Sequence, residues 1–221
     1  MSLSKSSLLI KKILLNIVGL FIMSFGISLA INTNLGVSPV TSFPFSLGLV
    51  LGISTGTMST IVFIIFIFFQ LLILRRAFKL ISAFQMVSSF IFGIFLDFFL
   101  NLLGYATPPT YIGQLAMLCA SIIVLSFGLT LNVSSKIMPL PPEGLVLAVV
   151  KVSGKPFSRL KVYFDCSLLL MSMAITFLNF GYVVGVREGT VITAITIGRM
   201  IPLHKMWITK AFKGLLPEED K

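Results

Sequence analysis

Asp97, Glu143 and Asp165 are carboxylates placed in or beside long apolar stretches, so their chemistry needs an explanation first. An ionised group in hydrocarbon costs several kcal/mol unless it is paired or wetted. Asp165 and Arg199 fall at similar depth in two different apolar runs, and read as a structural ion pair joining two helices. Asp97 has no basic residue at its depth apart from Arg187, which makes it the candidate for proton coupling. Glu143 follows Pro141 and Pro142 at the opening of a short helical stretch, where the helix dipole favours a carboxylate. Its first role there is capping, and coupling comes second.

A second set of polar groups lies around Pro39. Ser38 suits the N-cap position, Pro39 the first helical position, and Thr41 and Ser42 follow. Free N–H groups and partial positive charge at such a helix start favour an anionic ligand. Ser38, Pro39, Thr41, Ser42, Pro141 and Glu143 therefore form the candidate substrate-binding set. Other chemistry has little support. His204 is the only histidine, and Cys119 and Cys166 fall inside apolar runs and read as small buried hydrophobes, so no metal site is expected. No Walker, dinucleotide-binding, HExxH or nucleophile-elbow motif occurs, so neither a cofactor nor an enzymatic reaction is expected.

The elements that must hold these residues are membrane spans. The 221 residues are 57% hydrophobic and 11% charged, against about a quarter charged in globular domains. The net charge of +10 lies in clusters between apolar runs, a membrane pattern and not a nucleic-acid surface. Six spans are expected, at about 13–31, 57–74, 80–103, 111–133, 162–180 and 189–203. A basic start and Ser28-Leu29-Ala30 could mark a cleaved signal, yet MSFGISL at 23–29 is echoed by LSFGLTL at 125–131, so the first span is read as retained.

Between the spans lie two apolar segments broken by Pro and Gly, at 32–56 and 134–158. A shift of 102 residues superposes Gly26 on Gly128, Pro39 on Pro141 and Gly52 on Gly154. The chain thus divides into a first repeat at 1–110, a second at 111–203 and a tail at 204–221. Three spans per repeat require the halves to enter the membrane from opposite sides, an all-α inverted-repeat plan used by many secondary transporters. About twelve residues of helix in each broken segment would reach roughly 18 Å, or half a bilayer. The same segments could instead lie along the interface as amphipathic helices. Because nearly all Lys and Arg fall on one face, both termini are expected in the cytoplasm.

Three stretches carry a family resemblance: NLGVSPVTSFPFSLGLVLGISTGTMSTIV, PLPPEGLVLAVVKVSGKPFSRLKVYFD and GVREGTVITAITIGRMIP. Their signatures are Leu35, Gly36 and Pro39; Gly52, Gly56 and Thr57; and Gly189 and Thr190. Together they resemble the bacterial YczE/YitT-type integral membrane proteins, which implies a multi-pass protein of the bacterial plasma membrane and transfers no substrate. The leading expectation is a small permease or exporter of a small molecule in the lipid bilayer. The alternatives are the membrane subunit of an ATP-driven importer and a non-transporting assembly or signalling protein, with homo-oligomers or partner subunits left open.

Overall fold

The computed structural model describes residues 5–78, 84–104, 106–135, 137 and 139–211, with side chains from residue 9 to residue 208. The turn residue Lys79, Lys136 and the acidic end at 218–220 lie outside these. Among the described residues the chain is all-helical, with eight α-helices and one short 3-10 turn at Arg75–Ala77. The long helices are α1 (Lys5–Asn32), α3 (Thr55–Leu74), α4 (Gln85–Leu103), α5 (Tyr111–Ser134), α7 (Phe157–Phe180) and α8 (Glu188–Ala211). The short ones are α2 (Pro39–Leu51) and α6 (Pro141–Ser153), 13 residues each.

α1, α3, α4, α5 and α7 are long and apolar enough to cross a membrane. α8 has the length and runs on through Pro202, past the expected end at 203. Arg199, His204 and Lys205 dilute its apolar character, which leaves it outside that group of five.

In lipid, helices gain little by hiding apolar side chains from one another and must gain by close contact. The central contact is between α1 and α5. A Cβ on Gly26 would stand 2.5 Å from the Leu125 nitrogen, and one on Gly128 would strike the Met23 nitrogen just as closely. Gly19 meets Asn132 one turn further on, and the Asn16 amide reaches the Ser135 hydroxyl at 3.4 Å. Each step back along α1 is matched by a step forward along α5, so the two run antiparallel. The contact is also reciprocal, since Met23 and Leu125 stand 102 residues apart, as Gly26 and Gly128 do.

The outer helices follow the same logic. α4 packs on α1 with Phe21 against Phe95 and Phe25 against Phe99, so these two run the same way. α8 packs on α5, with Gly189 by Leu118 and His204 by Ser126, and this pair is parallel as well. α3 returns antiparallel to α4 through the close meeting of Gly56 and Gly93. α7 and α8 share no packing of that extent among the described residues. The core holds Leu20, Met23, Phe63, Phe92, Leu96 and Leu125, while Phe68, Phe69, Phe90 and Phe98 point outward.

Cys119 and Cys166 correct the expectation of burial, because both are free and exposed. The outer surface of a membrane helix meets hydrocarbon, so small apolar residues have no drive inward.

The short helices are inserted between these elements. α2 packs on α7 and α3, and α6 packs on α3 and α7. Both open on proline and close on a left-handed glycine, Gly52 and Gly154, each at φ 67°. Burial runs from Pro39 to Gly48 in α2 and from Pro141 to Ala148 in α6, and the last turn of each helix is exposed. Pro39, Thr41, Ser42 and Pro44 are buried where Leu49 and Leu51 are exposed; Pro141, Pro142 and Gly144 are buried where Lys151 and Val152 are exposed. A helix lying along the interface would show one buried stripe over its whole length. These helices bury their starts and middles and expose only their last turns.

Candidate functional site

Asp97 is not a lone carboxylate. It lies six residues before the end of α4, beside the start of α3. Its Oδ1 accepts from the Gly56 N–H at 2.7 Å. Its Oδ2 accepts from the Ser54 hydroxyl at 2.5 Å, the Thr57 N–H at 3.1 Å and the Thr57 hydroxyl at 3.3 Å. The first N–H groups of any helix lack partners within it. Asp97 supplies them from the neighbouring helix, and the glycines at 56 and 93 bring the backbones near enough. The expected partner Arg187 is elsewhere, donating to Glu188 at 3.1 Å and to the Asn34 carbonyl at 2.9 Å.

The start of α2 is bound to the loop before α8. Gly189 N–H donates to the Leu35 carbonyl at 2.8 Å, and Val37 N–H to the Gly185 carbonyl at 2.9 Å. Gly36, at φ 103°, leaves no room for a side chain against Thr190 and the Arg187 nitrogen. The Leu35-Gly36 and Gly189-Thr190 signatures therefore touch one another. Ser38 opens α2 without capping it through its side chain; its hydroxyl meets the Thr41 hydroxyl at 2.9 Å. Ser42 donates to the Pro39 carbonyl at 2.8 Å, and Ser172 of α7 donates to the Ser42 carbonyl at 3.1 Å and meets Ser46 at 2.5 Å.

The start of α6 holds the charges. Pro141 and Pro142 remove two N–H groups from the helix start, and Glu143 is the third residue. Lys161 of α7 stands 2.8 Å from Asp165 Oδ1 and 3.8 Å from Glu143 Oε1. Glu143 Oε2 is buried and has no hydrogen-bond partner among the described residues. Behind this group Gln70 donates to Gln85 at 3.1 Å and to the Pro141 carbonyl at 3.1 Å, closing on Gly144. A groove of about 260 Å³ runs alongside between α6 and α7, lined mainly by Leu145, Val149, Leu160, Tyr163 and Phe164.

The candidate residues thus separate into two places. Ser38, Pro39, Thr41 and Ser42 gather at the α2 start against α7 and α8; Pro141 and Glu143 gather at the α6 start against α3 and α7. Among the described residues the short helices share no packing of the extent that each makes with α3 and α7. The Asp165–Arg199 pair is replaced by Asp165–Lys161: α7 begins at Phe157, so Lys161 and Asp165 lie one turn apart on one face. Arg199 is exposed on α8, which packs on α5. Lys161, Gln70, Gln85 and Ser172 escape the sequence reading. The i,i+4 spacing of Lys161 and Asp165 was the available signal; the glutamines carry none until α3, α4 and α6 are packed.

Comparison with known proteins adds a lineage and no substrate. The chain is 27% identical over 184 residues to "Uncharacterized membrane protein YczE" of Bacillus subtilis (strain 168), covering 83% of this chain and 80% of that protein. It is 26% identical over 166 residues to "Uncharacterized protein YyaS" of the same organism, covering 72% and 78%. No solved structure matches. The profile of the family of unknown function DUF6198 matches residues 10–205, and the chain belongs to that family of YczE-type membrane proteins.

Proposed function

We propose that this protein is a small secondary transporter, a permease or exporter, built from two inverted repeats with a sixth span in α8. The observation that carries the reading is the pair of short helices, 102 residues apart, that enter the helix bundle start first. Helices broken in this way at matching places in two halves are the sequence mark of a transporter site. The opposed directions of α1 and α5, and the shared directions of α1 with α4 and α5 with α8, support an inversion of one half relative to the other. Each helix start, Ser38-Pro39-Thr41-Ser42 in one half and Pro141-Glu143 in the other, is a separate binding position for the small molecule. It is not an enzyme, and the bilayer of the bacterial plasma membrane is its setting, with both termini on the cytoplasmic side.

The test is flux in reconstituted liposomes against a metabolite panel, with and without a proton gradient. Single cysteines at Ser38, Thr41, Ser42 and Leu140, with Cys119 and Cys166 replaced, should react with small polar thiol reagents and be protected by any transported compound. Absence of flux across the panel together with inert cysteines would leave the short helices as packing elements and overturn the reading.

A further inference from the structure

We propose that Glu143, Lys161 and Asp165 form a proton-binding site joining α6 to α7, with the proton held on Glu143. Two carboxylates share one ammonium, so the group carries one negative charge more than it can pair when both acids are ionised. The side chains of Lys161, Glu143 and Asp165 are 22%, 25% and 24% exposed. An unbalanced charge in such a setting is costly, and uptake of a proton removes it.

The geometry selects Glu143 over Asp165. Asp165 has the short contact to the ammonium, at 2.8 Å, and Glu143 the long one, at 3.8 Å. Glu143 also has the buried oxygen without a partner. The charged groups acting on it are Lys161 and Asp165, both from α7; α3 and α4 present Gln70 and Gln85, which are neutral. Among the described residues no cation from those helices completes the balance.

Comparison of the two halves shows that packing does not require these charges. The positions 102 residues earlier than Glu143, Lys161 and Asp165 are Thr41, Ser59 and Phe63, all uncharged. α2 packs on α3 in the first half as α6 packs on α7 in the second. One interface has been made chargeable and its counterpart has not. The site also has mechanical reach, because α7 carries Lys161 toward one end and Ser172, bonded to α2, further along. Protonation of Glu143 weakens its hold on Lys161, the charged contact between α6 and α7. As the site of a coupling proton this rests on the transporter reading; as a proton site it does not.

The experiment is infrared spectroscopy of the full chain in lipid vesicles, following the absorption of protonated carboxylic acids as pH is raised. The wild type should show such a band persisting above about pH 5.5, where solvated carboxylates are already ionised, and vanishing as pH rises further, and Glu143→Gln should abolish this component. Lys161→Met should hold the band to higher pH by about one unit or more, because an opposite charge has been removed. Glu143→Asp should retain a pH-dependent band, and serves if the glutamine variant does not fold. A band above about pH 5.5 that survives Glu143→Gln and disappears in Asp165→Asn overturns the assignment, as does absence of any pH-dependent band in that range. Loss of proton-driven flux with the infrared result intact would sink the transport role alone.

Discussion

A carboxylate's partners decide its work, and Asp97 and Asp165 show this in opposite directions. Asp97 receives four hydrogen bonds from Ser54, Gly56 and Thr57, and holds the start of α3. Hydrogen bonds to charged groups are each worth about 1.5–3 kcal/mol net. An amide keeps an acceptor and loses the charge, so Asp97→Asn should cost about 1–3 kcal/mol, read as a lower thermal midpoint in detergent. Ser54→Ala removes one donor and should cost less. An unchanged midpoint alongside lost gradient-driven flux would return Asp97 to a coupling role. For Asp165 the partner is Lys161, so Arg199→Gln should leave stability within about 0.5 kcal/mol and should not rescue Asp165→Asn. Rescue by Arg199→Gln would restore the interhelical pair.

The elements depend on a few close backbone approaches. Helices α1 and α5 meet where Gly26 faces Leu125 and Gly128 faces Met23, with no space for a side chain. Larger residues there must push apart two helices whose association rests on contact. Gly26→Ile or Gly128→Ile should therefore give a sharp loss of monodisperse protein on size-exclusion chromatography. Gly198→Ala is the control, since nothing lies within 4 Å of a Cβ there. The ends of the short helices make a matched pair. Gly52→Ala and Gly154→Ala have open space but a left-handed backbone, and each should lower stability by about 1–2 kcal/mol. Similar costs at the two sites are expected if the halves are equivalent.

At the scale of the molecule the directions of the helices set the topology. α1 and α4 run together, and α3, α5 and α8 run against them. Reporter fusions after Arg76, at Thr107, at Arg159 and at the C-terminus should read inside, outside, inside and inside. An external reading at the C-terminus would remove α8 as a span, and the inverted plan with it. The asymmetry between halves also sits at this scale. α3 and α4 are locked through Gly56, Gly93 and Asp97, whereas among the described residues α7 and α8 share no comparable contact. If one helix pair moves during transport, it is this second one.

The membrane class, the positions of the broken segments and the 102-residue period were all written in local features. Apolar runs need only a length, and Pro39, Pro141, Gly52 and Gly154 act on their own backbone. The short helices accordingly begin and end where those residues stand. Partnership was not legible in the same way. Asp97 needed a glycine on each of two helices to bring it to the α3 start, and Gln70 and Gln85 needed three helices to meet at Pro141. Lys161 took Asp165 from Arg199 because α7 begins five residues earlier than its apolar run suggests. Charge and hydropathy are properties of single residues and their near neighbours; which groups touch across α3, α4, α6 and α7 depends on packing at distances of a few ångströms, which only the tertiary structure sets.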